Sequence, residues 1–135
     1  MYIFTLVADV HKAVEKLRLQ RGEYKLAMLF NSALDLTSNW NLIVSSDWTD
    51  SVGIAEATRL IAQELHTSVG LENRPSVSRV TVLKTADPFV RDMTQFMAKS
   101  YPVLPRKGGV PLSYLTAAGV TGAGFVFYSQ PEVPA

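Results

Sequence analysis

Residues 77–97 read VSRVTVLKTADPFVRDMTQFM, and inside them the apolar period changes from two to about 3.6. Val80 and Val82 face one way and Arg79, Thr81 and Leu83 the other, which predicts a strand over 77–85. Asp87-Pro88 then starts a helix. A carboxylate there accepts from the free N–H groups of the first turn, and proline has no N–H to lose at the first helical position. Phe89, Val90, Met93, Phe96 and Met97 fall on one face, so the helix is expected over 88–99. A strand that runs directly into an amphipathic helix sets the class as mixed α and β.

A second junction of the same kind lies upstream. Residues 40–45, WNLIVS, are rich in strand formers, and SSDWTD (45–50) leads into a helix over 52–68. Ile54, Ala57, Leu60, Ile61 and Leu65 make its apolar stripe, interrupted only by Glu64, which is expected either to snorkel to the edge of the stripe or to pair with a base such as Arg59 or Arg79. Thr49, Asp50 or Ser51 is expected to cap this helix and Gly70 to close it. Residues 24–30, YKLAMLF, read as a further strand, joined to 40–45 by a loop of turn formers; a helix over 23–35 is the alternative, because Glu, Lys, Leu, Ala and Met all favour one.

At the N-terminal side, Ile3, Val7, Val10, Val14 and Leu17 recur at alternating spacings of four and three. This is a heptad stripe, and it predicts a helix over about 3–20 that ends at Gly22. A short strand over 2–7 is the alternative reading. At the other side, 112–116 and 125–129 read as strands joined across a glycine-containing turn with Gly119, Gly122 and Gly124. Residues 101–111 read as an irregular loop and 130–135 as a trailing end. The expected fold is α+β with the order α-β-β-α-β-α-β-β: one domain over 1–135, on a five-stranded mixed or mostly antiparallel sheet with helices packed against it.

Composition narrows the function. The 135 residues contain no cysteine, which removes disulfides, thiolate zinc sites, iron–sulfur clusters and a cysteine nucleophile. Thirteen Lys and Arg against twelve Asp and Glu give a net charge of +1, which argues against strong nonspecific attraction to nucleic acid or anionic lipid. No run approaches the roughly 18 apolar residues of a membrane span, and the apolar residues 2–8 lack a basic leader; a cytoplasmic location is the expectation. His11 and His66 are the only histidines, and both read as surface residues. No P-loop is present, Gly119, Gly122 and Gly124 have the wrong spacing for a dinucleotide fingerprint, and Asp47 and Asp50 are one position too far apart for a D-x-D-x-T phosphotransferase motif.

Three functional readings remain. The first is a non-catalytic interaction or assembly module, a homodimer or the binder of an unidentified protein, that uses Ile3, Val7, Val10, Val14 and Leu17; packing of the same face on the chain's own sheet is the alternative. It needs no cofactor and no metal. The second is a small phosphate- or nucleotide-handling enzyme built on the two strand ends. There Asp47, Trp48 and Asp50 would face Lys84 and Asp87, the acids holding magnesium and the lysine neutralising phosphate. Helix capping is the structural alternative for the same acids. The third is weak nucleic-acid binding through Lys12, Lys16, Arg18, Arg21 and Lys25 with Arg106 and Lys107; the interruption by Glu15 and Glu23 speaks against it.

Overall fold

The computed structural model describes residues 2–31, 40–70, 77–100, 110–117 and 120–130. Helix α1 (Tyr2–Arg21) is followed by β1 (Leu26–Asn31), β2 (Trp40–Ser45), α2 (Asp47–Val52) and α3 (Ile54–Ser68). Then come β3 (Val77–Val82), α4 (Pro88–Ser100), β4 (Val110–Ala117) and β5 (Val120–Ser129). The strands form a sheet of order β3-β2-β1-β5-β4. Neighbours are antiparallel except β2 and β3, which run parallel and are joined by the crossover through α2 and α3.

This overturns the expected order α-β-β-α-β-α-β-β, because two helices rather than one join β2 to β3. Gly53 is the cause. It stands at φ 93° and ψ 156°, where a residue with a side chain is strained, and it separates α2 from α3. The capping expectation changes with it. Ser46 caps α2: its hydroxyl accepts from Thr49 N–H at 3.1 Å while Thr49 Oγ1 accepts from Ser46 N–H at 3.0 Å. The C-cap of α3 is Val69, and the Gly70 N–H is turned to Asp9 of α1 at 3.0 Å.

The C-terminal hairpin is corrected too. Its pairing reaches Ala117↔Val120, so Gly122 and Gly124 lie within β5, and Val110 and Pro111 belong to β4 rather than to the loop. Gly124 is required by proximity: a Cβ there would stand 2.5 Å from the Leu29 carbonyl oxygen of β1. Gly119, residues 101–109 with Arg106 and Lys107, and residues 131–135 lie outside the described residues.

The sheet is covered on both faces. Val7, Val10, Val14 and Leu17 of α1 join Ala57, Ile61 and Leu65 of α3 over Ala27, Leu29, Leu42, Val44 and Phe127. On the other face Phe89, Val90, Met93 and Met97 of α4 cover Leu26, Met28, Phe30, Ile43 and Val126. β1, buried at every position, sits between the two layers as a nearly continuous apolar strand must. The heptad stripe is therefore the inner face of α1. Val10 and Val14 are 0% and 1% exposed, and each such side chain contributes about 1.5–3 kcal/mol by burial. The expected self-association through Val7, Val10, Val14 and Leu17 meets an occupied surface: the chain's own sheet fills it. Ile3 lies in α1, and its side chain lies outside the described residues. Among the described residues no helix is long and apolar enough to cross a membrane.

Candidate functional site

Because β2 and β3 are parallel neighbours, their C-terminal ends emerge side by side, and the two junctions singled out in the sequence meet. Asp50, in α2, accepts from Thr85 Oγ1 at 2.7 Å and lies 3.3 Å from Thr85 N–H in the turn that follows β3. Asp87 caps α4, its Oδ1 accepting from Phe89 N–H at 2.8 Å, while its own N–H donates to Lys84 O at 2.9 Å. Both carboxylates are thus committed to holding the backbone. Asp47 is exposed in the first turn of α2, and Lys84 is exposed in the turn after β3. Trp48 is buried, its indole edge-on to Tyr24 at 6.4 Å between centroids, with the Arg21 guanidinium 5.6 Å from its ring. Of the five residues, Lys84 and Asp87 line a shared hollow, about 360 Å³, with Ile54, Val82, Leu83 and Ala86. Among the described residues no group of three His, Asp or Glu side chains is placed to hold a metal ion. What this junction does is tie α2 to the β3–α4 turn.

The more open feature lies beside it. β3 is an edge strand, and α3 runs along it in the opposite sense, with Ile54 near Val82 and Val69 near Val77. Between them is a groove of about 320 Å³ lined by Thr58, Ala62, Leu65 and His66 on the helical side and by Val77 to Val80 on the strand. Ile54, 49% exposed, stands at its far end near Lys84. Helix α4 packs chiefly on β1, β5 and β4, toward the other side of the sheet from β3. β3 carries half-buried and exposed residues at every position but Val82, a pattern its alternating sequence already contained.

A third cluster was not anticipated. His11, read as a surface residue, is half-buried, with its ring stacked on Phe127 at 5.3 Å and 7° and lying 3.5 Å from Tyr128 Oη. The Tyr128 hydroxyl donates to Glu15, which holds Arg18 through two hydrogen bonds of 3.0 and 2.6 Å. Arg18 also reaches Glu23 at 2.7 Å and lies over the Tyr128 ring. Burial pushes the His11 imidazole down, and the hydrogen bond from Arg18 holds the Glu15 carboxyl below the usual range. A register irregularity builds the cluster. Where Ala27 pairs with Tyr128 and Met28 with Val126, Phe127 is the extra residue, and it packs with Tyr128 on the α1 side.

Three of the N-terminal cations, Lys16, Arg18 and Arg21, are drawn into ion pairs and ring contacts. Lys16 meets Glu64 at 3.4 Å, Arg18 takes Glu15 and Glu23, and Arg21 lies over Trp48. Glu64 is thus held by Lys16 and by the Ser68 hydroxyl at 2.8 Å, not by Arg59 or Arg79. No protein-family model, curated protein or solved structure matches the chain.

Proposed function

We propose that the protein is a non-catalytic interaction module that docks its partner along the α3–β3 margin of the sheet. The observation that carries this reading is the apolar groove of about 320 Å³ that lies against a strand edge with no second neighbour strand among the described residues. An edge strand presents N–H and C=O groups that an added strand can pair, and the groove offers a place for side chains beside it. The chemistry of the strand-end junction supports the same choice. Asp50 and Asp87 spend oxygens on Thr85 and on the α4 cap, and among the described residues no group of three His, Asp or Glu side chains is placed to hold a metal ion.

The test uses the full chain as bait for an unbiased library of displayed dodecapeptides, with Ala62→Glu as the comparison. Ala62 is exposed on α3 and lines the groove, so the substitution puts a charge there without disturbing the core. Peptides enriched on the parent should lose at least tenfold in affinity on the variant, since a carboxylate in an apolar contact costs more than 1.4 kcal/mol, the equivalent of about tenfold. Failure to enrich any peptide, or equal binding by the variant, would remove the α3–β3 margin as the docking face.

A further inference from the structure

From the same margin, and resting on the reading just given, we infer the chemistry of the occupant: an extended segment that adds to β3 as a sixth strand, with apolar and acidic side chains in alternation. The backbone geometry assigns the contacts. Leu83 N–H donates to Val44 O at 2.9 Å, and Val44 pairs with Val82 and Leu42 with Val80. In a parallel ladder alternate residues bond to the same neighbour. The N–H and C=O groups of residues 79, 81 and 83 therefore turn to β2, and those of Val80 and Val82 turn outward. An incoming strand pairs with these two residues.

The two faces of the edge then impose the side-chain pattern. Val80 and Val82 belong to the layer under α1 and α3, so alternate side chains of the added strand enter the groove beside Thr58, Ala62 and Val80. Thr81 alternates to the opposite face, where its Oγ1 donates to Asn41 Oδ1 at 2.9 Å, and Arg79 follows the same alternation while also bordering the groove. Arg79 is exposed there and makes no ion pair among the described residues. Several described acids already have partners: Glu56 in Arg59, Glu64 in Lys16, and Asp50 and Asp87 in backbone and hydroxyl donors. Lys84 and His66 stand at the two ends of the same margin. The charged residues that β3 and residues 83–84 after it contribute, Arg79 and Lys84, are thus both cationic. A second copy of the chain, antiparallel about a two-fold axis with Val80 opposite Val82, would bring Arg79 of each copy close to Lys84 of the other, whereas an acidic strand complements both.

The experiment compares three synthetic octapeptides with the full chain. All have valine at alternate positions; the positions between hold glutamate, serine or lysine. Binding is read by fluorescence anisotropy in low salt, with parent, Arg79→Glu and Ala62→Glu. The expected order on the parent is glutamate over serine over lysine. A cross-strand pair of opposite charges gives a preference of about fivefold. Arg79→Glu should invert that order, and Ala62→Glu should weaken all three. Binding of all three with one affinity, sensitive to Ala62→Glu, overturns the acidic strand and leaves the docking margin standing. Binding of none overturns both. Light scattering over a hundredfold range of concentration supplies the last arm. A dimer abolished by Ala62→Glu would identify a second copy as the occupant and overturn the inference.

Discussion

His11 shows how one side chain couples α1 to the sheet. Its ring is stacked on Phe127, and burial holds it neutral to lower pH than its ordinary value of 6.5, against a smaller opposing pull from the Glu15 carboxylate. In the unfolded chain the ring takes its proton near 6.5, while in the folded chain it does so only at lower pH. The unfolded state therefore binds more protons between the two values, and stability falls as the pH drops through that window. Glu15 acts in the same direction further down, because its carboxyl is held low by Arg18 and the stability it supplies is lost on protonation. His11→Gln should flatten the melting temperature just below about pH 6.5, where the parent declines. Melting curves of both proteins from about pH 5 to 8 check this, and parallel slopes would assign the decline to another group. The cluster could not be read in the sequence. Histidine on a helix gives no sign of which strand lies beneath it, and the extra residue that brings Phe127 and Tyr128 to one face breaks the alternation of FVFYS.

Among the elements, those with a strong period stand where the spacing put them. The helix expected over about 3–20 spans Tyr2–Arg21, the one expected over 88–99 spans Pro88–Ser100, and the strand at 40–45 is β2. The reading of 24–30 as a strand also holds over the helical alternative, since β1 spans Leu26–Asn31. Junctions were less legible. SSDWTDSVG offers several capping residues in succession, and a glycine inside a helical pattern is equally compatible with continuation and with a break. Backbone conformation at Gly53 decides between them, and it fixes Ser46 as the cap. Ser46→Ala should therefore cost about 1 kcal/mol, whereas Ser51→Ala should stay within about 0.5 kcal/mol of the parent. Denaturant midpoints at constant slope measure both. Equal losses would mean that the reciprocal Ser46–Thr49 pair does not cap α2.

On the scale of the whole molecule, a heptad stripe states that a helix has an inner face but not whose side chains meet it. The same spacing serves a partner helix or the chain's own sheet, and only the topology decides. Here the answer is internal, so Val14→Asp should unfold the protein rather than separate subunits. A carboxylate would stand where valine is 1% exposed, at a cost of several kcal/mol against a total of about 5–15 kcal/mol. Circular dichroism and light scattering on the variant distinguish the cases. A variant that melts cooperatively as a smaller species would make α1 an interface. The strand order was equally beyond local reading, because β1 pairs with β5, about a hundred residues further along the chain. That pairing has a consequence for synthesis. As the ribosome releases the chain, β1 and β2 can close their hairpin early, but the second side of the most buried strand waits for the last strand described. Until β5 arrives, β1 has a naked apolar flank, and a nascent chain halted before residue 120 carries an aggregation-prone template where the finished protein carries its centre.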